Sequence, residues 1–301
     1  MKILMTGATG FIGSRLKGRL EKSGHAVLAV SRRPGSAFDW SDASLARGVK
    51  ETDAVIHLAG ENIFDKRWNP RQKQILISSR VETTRKIAAL VAARKPKCFL
   101  SSSAIGWYGT SETATFDERS PHGSDFMADL CVQWEDSTEV AVEAGVRTCR
   151  VRTGIVLGPG GGALSKMLPF FRLGIGGPLG SGRQWMSWIH LEDLCALYEF
   201  LLENDRANGA FNGTAPNPVT NKELSRAIGR VLHRPSALPA PEPMLRLTLG
   251  EVAKVLVTGQ RVLPRRAEEA GFRFEHPEIE EALRDALGKK ERREVGIRTG
   301  G

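Results

Sequence analysis

The first 33 residues constrain the fold more than any other stretch. Lys2-Ile3-Leu4-Met5 reads as a short buried strand, and the run Gly7-Ala8-Thr9-Gly10-Phe11-Ile12-Gly13 follows at once. An amphipathic helix to Lys22 and a second strand from His25 to Val30 come next. A strand, a glycine turn that opens a helix, and a second strand make half of a βαβ unit of the kind that binds dinucleotides. Gly7 permits the tight turn, Gly10 lets backbone N–H groups approach a pyrophosphate, and Gly13 lets the helix pack close to the sheet. The helix N-terminus then faces the phosphates with unpaired N–H groups and the positive end of its dipole. Contacts to a dinucleotide are therefore expected from Gly7, Thr9, Gly10, Phe11, Ile12 and Gly13.

The end of the second strand refines that expectation. Proteins that select NAD place an acidic residue here to hold the ribose 2′-OH. This chain has Ser31-Arg32-Arg33. A carboxylate repels a 2′-phosphate, whereas arginine pairs with one through its planar fork of donors. The reading favours NADP(H), with Ser31, Arg32 and Arg33 at the 2′-phosphate.

At 301 residues the chain is long enough for one large domain or two modest ones. No apolar run reaches the length of a membrane span, and the first strand begins at residue 2, leaving no room for a signal or transit peptide. Cys98, Cys131, Cys149 and Cys195 are scattered without metal-like pairing, which reads as reduced thiols of a cytoplasmic protein with no metal. The net charge of +9 raises nucleic acid as a partner, but the charge is dispersed and no aromatic-basic or helix-turn-helix signature accompanies it. A solvated surface is the better reading, with no nucleic-acid or membrane partner; the oligomeric state stays open.

Further along, 38–50 looks irregular, with a short strand near Phe38–Trp40. Residues 53–60 form a buried strand ending in a glycine turn. Ligands of parallel sheets bind beyond the carboxyl ends of the strands, so Leu58, Ala59, Gly60 and Glu61 are expected to line the cofactor. His57, inside that strand, reads as a packed histidine. A long helix is predicted over 71–93 and a strand over 97–102 that runs into Ser101-Ser102-Ser103. Small hydroxyl residues at a strand end can reach a substrate oxygen, or serve only as caps. Helix 125–144 and strand 146–151 continue an alternation that implies an α/β, doubly wound parallel sheet. Residues 1–157 are read as the NADP-binding Rossmann-type domain, to which later segments are able to return. Residues 158–287 form a smaller, mostly helical C-terminal region with a glycine-rich loop over 174–182, and 288–301 a polar tail that reads as disordered.

Several unrelated motifs occur together. They include Ala59-Gly60-Glu61-Asn62-Ile63, Lys66-Arg67-Trp68, Ser79-Arg80-Val81-Glu82-Thr83-Thr84, Arg152-Thr153-Gly154-Ile155-Val156-Leu157-Gly158, Trp188-Ile189-His190-Leu191-Glu192-Asp193 and Val262-Leu263-Pro264. Nearly the whole chain resembles the epimerase-like atypical short-chain dehydrogenase/reductases, labelled "nucleoside-diphosphate-sugar epimerase-like" or "SulA-like", with their C-terminal domain of unknown role. The resemblance implies NADP contacts from the glycine loop, Ser31, Arg32, Leu58, Ala59, Arg80 and the strand end near Ile155. Ser101 and Ser102 at the end of the serine strand are added as cofactor contacts.

Typical members of the wider superfamily carry Tyr-x-x-x-Lys on the helix that here holds residues 125–144. The tyrosine moves the proton, and the lysine lowers its pKa. Phe126 to Glu135 contains neither residue. If Glu135 aligns with the acid that often follows the lysine, Met127 and Cys131 occupy the two positions. Ser103 and Tyr108 are the nearest substitutes for polarising a reacting oxygen; Asp129, Cys131, Glu135 and His190 are weaker candidates. The expected function is NADP(H)-dependent, epimerase-like oxidoreductase chemistry on an unidentified small molecule. A non-catalytic NADP(H)-binding regulator or redox sensor is the alternative.

Overall fold

The computed structural model describes residues 1–32 and 35–288. Its first half runs β1 (Lys2–Thr6), α1 (Phe11–Lys22), β2 (Ala26–Val30), α2 (Asp42–Lys50), β3 (Ala54–His57), α3 (Pro70–Ile77), α4 (Thr83–Arg94), β4 (Cys98–Ala104) and β5 (Thr115–Phe116). Then come α5 (Phe126–Asp136), α6 (Glu139–Glu143), β6 (Arg147–Thr153), β7 (Ile155–Leu157), α7 (Gly162–Arg172), β8 (Trp185–Met186), β9 (Trp188–His190), α8 (Leu191–Glu203) and β10 (Gly209–Gly213). The chain closes with β11 (Val219–Thr220), α9 (Asn221–Leu232), α10 (Glu242–Leu249), α11 (Val252–Val257), β12 (Arg261–Val262), α12 (Arg265–Glu269) and α13 (Ile279–Ala286). Arg33 of the basic turn and residues 289–301 of the expected tail lie outside the described residues.

Six strands form one parallel sheet in the order β10-β6-β4-β3-β1-β2. Both faces are covered, so alternate residues of one strand enter different cores. Ile3 and Met5 of β1 pack with Leu16 and Leu20 of α1 and with Leu194 and Leu197 of α8. Leu4, between them, packs with Ile87 and Val91 of α4. A further core lies beyond the sheet, where Leu164 and Phe171 of α7 meet Leu224 and Ile228 of α9 and Leu283 of α13. The strand order reverses between β1 and β3, which opens a crevice at their carboxyl ends.

Several elements differ from expectation for identifiable reasons. Residues 42–50 are helical rather than irregular: Ser41 caps α2 by accepting from the Ser44 N–H, and Leu45 and Val49 are buried. The helix predicted over 71–93 spans Pro70 to Arg94 but contains one π-helical turn, Ser78–Glu82. The helix predicted over 125–144 breaks between Asp136 and Glu139. The sheet gains an edge strand from Gly209–Gly213, which the sequence hid because its five residues include only two apolar side chains. The segment beyond residue 157 therefore completes the sheet with β10 and covers it with α8.

Candidate cofactor and active site

Gly7 leaves β1 with φ +70°, a conformation that L side chains rarely adopt, and a Cβ there would lie 2.8 Å from the Leu58 carbonyl carbon. The turn after β1 thus presses on the turn after β3 at the point where the strand order reverses. A Cβ on Gly13 would lie 2.1 Å from the Gly7 carbonyl oxygen, so only glycine lets α1 approach β1 this closely. Gly10 caps α1 without a side-chain acceptor, and no acidic residue stands in the first turn. The first N–H groups of α1 have no partner within the helix, and Thr9 and Gly10 beside them are exposed. These features fit a dinucleotide pyrophosphate. Phe11 turns its ring against Gly161 and Gly162 at the start of α7, and Ile12 is half-buried beside it.

Arg32 is exposed just beyond β2, and the Ser31 N–H donates to the Phe38 carbonyl at 3.0 Å. After β3, the Leu58 and Ala59 N–H groups donate to Thr6 Oγ1 at 3.2 and 3.3 Å. The next two residues are fixed from the π-helical turn. Ser79 Oγ accepts from the Glu61 N–H at 3.2 Å, and Arg80 Nη2 donates to the Glu61 carbonyl at 2.8 Å. The Arg80 guanidinium lies against Gly60 and over the Trp134 ring, and burial holds its pKa below the usual arginine value. His57 is fully buried, with Nδ1 2.6 Å from Thr6 Oγ1, and burial pushes its pKa down to about 4. Ile155 opens β7, its N–H bonded to the Ser187 carbonyl.

The three serines of β4 alternate in direction. Ser101 is buried, with Oγ bonded to the Ser102 carbonyl. Ser102 Oγ meets Tyr198 Oη of α8 at 2.9 Å. Ser103 is buried on the α5 side and donates to Glu135 Oε1 at 2.6 Å. Glu135 in turn takes Arg152 in a bidentate grip, and Arg152 Nη1 donates to Tyr108 Oη at 3.0 Å. Tyr108 donates to Asn212 Oδ1 at 2.8 Å. The Arg152 guanidinium also stacks 3.8 Å from the Trp107 ring centroid. The hydroxyls of Ser103 and Tyr108 are both engaged inside the protein rather than turned to an open cleft. Burial raises the Tyr108 phenol to about 12 although Arg152 stands beside it, so it stays protonated at neutral pH.

Met127 and Cys131 of α5 face Gly106 in the turn after β4. Burial pushes the Cys131 thiol up to about 12, so it supplies neither a thiolate nor a cation there. His190 is buried as the N-cap of α8, accepting from the Glu192 N–H, and burial lowers it to about 4.

A family model described as the NAD dependent epimerase/dehydratase family matches residues 3–212. The chain belongs to that family. The family match takes in β1 through most of β10, and a second model, a domain of unknown function (DUF1731), matches residues 240–286 from α10 to α13. An Arabidopsis thaliana protein, "Epimerase family protein SDR39U1 homolog, chloroplastic", is 43% identical over 300 residues, covering 94% of this chain and 86% of its own. The Mus musculus epimerase family protein SDR39U1 is 40% identical over 294 residues, covering 95% of this chain and 100% of its own. The crystal structure of human epimerase family protein SDR39U1 with NADPH superposes with a TM-score of 0.91 at 37% identity, covering 96% of this chain and 100% of that one. Among the described residues, no helix of this family member is long and apolar enough to cross a membrane.

Ser79, Thr6, Asn212 and Trp107 escaped the sequence reading. Ser79 and Thr6 act through hydroxyl contacts to a turn 18 and 52 residues away, and no local pattern marks such a role.

Proposed function

We propose that this protein binds NADP(H) across the carboxyl ends of β1 to β4 and carries out epimerase-like oxidoreductase chemistry on a small molecule. The observation that supports it most is the uncapped, acid-free N-terminus of α1 set one glycine turn from β1, where a Cβ on Gly7 or Gly13 would close the approach. In this reading the N–H groups of Phe11, Ile12 and Gly13 receive the pyrophosphate, and Ser31, Arg32 and Arg33 receive the 2′-phosphate. Leu58 to Glu61, held by Thr6, Ser79 and Arg80, form the wall beside it, and Ser101, Ser102 and Ile155 the nicotinamide side. NADP(H), when bound, supplies or accepts a hydride. Ser103 and Tyr108 enter as positioning residues: through Glu135, Arg152 and Asn212 they lock the end of β4 against α5 and β10.

A regulator without turnover is the second reading. It is favoured by one observation, that Phe126 to Glu135 holds neither a tyrosine nor a lysine and that burial keeps the Cys131 thiol protonated. Two measurements separate the readings. NADPH and NADH are titrated by fluorescence, and a library of carbonyl compounds and nucleotide sugars is screened for product and for change in NADPH absorbance. Tight NADPH binding with turnover supports the enzyme. Tight binding with no turnover, and a protein partner captured only with the cofactor, supports the regulator. No NADPH binding sinks both.

A further inference from the structure

A second cavity shares no lining residue with the cofactor crevice. Where α9 ends beside α13, an open concavity of about 650 Å³ is lined by Arg226, Arg230, Arg234 and Arg284, together with His233, Ser236 and Glu280. Two helices and one tight turn build it. Arg226 and Arg230 stand four apart on α9 and are exposed, while Leu224 and Ile228 are buried. The chain then folds back. His233 takes φ +55° and its N–H donates to the Arg230 carbonyl at 3.1 Å; the Arg234 N–H donates to the Gly229 carbonyl at 2.9 Å. A Cβ on Gly229 would lie 2.4 Å from Ser236 Oγ, so glycine lets residues 234–236 close onto the helix.

Glu280 of α13 is the one carboxylate in the lining. It accepts from Arg230 Nε and from Arg284 Nη2, each at 2.8 Å, and so sets two guanidiniums side by side. On Arg230 this bond uses Nε and leaves the terminal fork for another acceptor. Arg226 and Arg234 have no side-chain partner among the described residues, and neither has the Ser236 hydroxyl. The neighbouring acids do not compensate. Glu223 is held in the cap of α9, Asp285 stands 3.3 Å from His190 Nε2, and Glu281 is exposed outside the lining. The dipole of α9 accounts for cations in its last turn only. Arg226, a turn earlier, and Arg284, on α13, fall outside that account.

Four guanidiniums against one carboxylate leave an excess of three positive charges. No Phe, Tyr or Trp lines the cavity, so a nucleic-acid base finds no ring to stack on, and charge must do the holding. The volume falls in the range of small-molecule sites, roughly 300–1,000 Å³. A single phosphate brings about 1.5–2 negative charges, and two linked phosphates come nearer to balance. Arginine forks take phosphate oxygens in pairs. We propose that the seam between α9 and α13 binds a small anion through a diphosphate group, held by Arg226, Arg234 and the two arginines that Glu280 spaces.

The test titrates the full chain by calorimetry with inorganic pyrophosphate, inorganic phosphate and ADP. NADPH is present in excess to fill the N-terminus of α1. Pyrophosphate should bind at one site per chain, about tenfold or more tighter than phosphate, as expected when further charged hydrogen bonds form. Arg226→Ser and Arg234→Ser, at exposed positions without partners, should each weaken pyrophosphate by about tenfold and leave thermal stability and NADPH affinity unchanged. Arg94→Ser on α4 removes the same charge from a helix of another core and should change nothing. Whichever of pyrophosphate and ADP binds more tightly through these arginines tells a free diphosphate from a nucleotide-borne one, and either supports the proposal. It is overturned if neither binds, if phosphate binds as tightly as pyrophosphate, or if both arginine variants bind as the native chain does. An equal loss in Arg94→Ser overturns it too, by assigning the binding to overall charge. Because the variants locate the heat, the result holds even if NADPH itself fails to bind.

Discussion

Arg152 and Glu135 meet as a bidentate pair in the protein interior, Nε 2.8 Å from Oε1 and Nη2 2.9 Å from Oε2, with both side chains about 5% exposed. Removing one partner strands a buried charge, which costs roughly 3–5 kcal/mol, whereas removing both costs far less. Arg152→Met should therefore lower denaturant stability by about 3–5 kcal/mol. The double variant Arg152→Met/Glu135→Leu should recover at least half of that loss. Equal losses in the single and double variants would show that the Arg152–Trp107 stacking, not the charge pairing, dominates.

The glycine turn gives a prediction that separates folding from binding. Gly13→Ala would place a methyl 2.1 Å from the Gly7 carbonyl oxygen and push α1 off β1. Overpacking of this kind costs on the order of 1–3 kcal/mol. Gly10→Ala meets only the Gly7 oxygen, at 3.3 Å. It should unfold near the native temperature while weakening NADPH, because its methyl stands at the mouth of the α1 N-terminus. Thermal denaturation and NADPH titration of the two variants check this. A Gly10→Ala protein that binds NADPH as tightly as the native one would move the pyrophosphate elsewhere.

In the proposed reading, Arg32 sets the choice of cofactor. Arg32→Ala should weaken NADPH by about 1.5–3 kcal/mol, the range for hydrogen bonds to charged groups, and leave NADH nearly unchanged. Competitive fluorescence titrations of both cofactors measure it. Equal losses for the two would place Arg32 away from the 2′-phosphate.

Ser103→Ala removes one donor to Glu135 while Arg152 still holds both carboxylate oxygens. Stability should fall by about 1 kcal/mol and NADPH affinity should stay the same. Once a substrate is in hand, turnover should drop by much less than the two to three orders of magnitude that loss of a transition-state donor costs. A loss of that size at unchanged stability would make Ser103 a direct donor to the reacting oxygen.

His57 predicts a pH dependence. Its folded pKa of about 4 lies below the unfolded value of 6.5, because burial disfavours the imidazolium. Between those values the unfolded chain binds more protons, so this contribution is complete above pH 6.5 and is lost as the pH falls toward 4. At pH 5 the loss is about 2 kcal/mol, at 1.36 kcal/mol per unit. The stability difference between pH 7.5 and pH 5 should shrink by about that amount in His57→Asn. An undiminished difference would place the acid sensitivity in His190 or in the carboxylates.

The parallel, doubly wound sheet, the glycine turn and the arginine beyond β2 were legible because each depends on neighbours close in the chain. Apolar periodicity, a turn of fixed length and a charge at a set distance from it are local properties, and they located β1, α1, β2 and the long helices. Ser41 and the apolar positions of α2 are local signals too, but over nine residues with only a few apolar side chains they are weak beside the polar stretch that precedes them. The π-helical turn is different. It carries Ser79, which accepts from the Glu61 N–H, and Arg80, which donates to the Glu61 carbonyl, and a sequence does not show which turn will lie opposite.

The same division runs through the site. The sequence by itself determined that Tyr-x-x-x-Lys is missing and that Ser103 and Tyr108 stand at the end of β4. Only the tertiary structure decided where those hydroxyls go. Ser103 reaches Glu135 across 32 residues and Tyr108 reaches Asn212 across 104, from an edge strand too short and too polar to announce itself. The Arg152–Glu135 pair and the exposure of Phe170 and Leu247 are likewise products of packing. Partners of a buried charge, and exposure of an apolar side chain, depend on what the rest of the chain brings against them, and no local pattern carries that information.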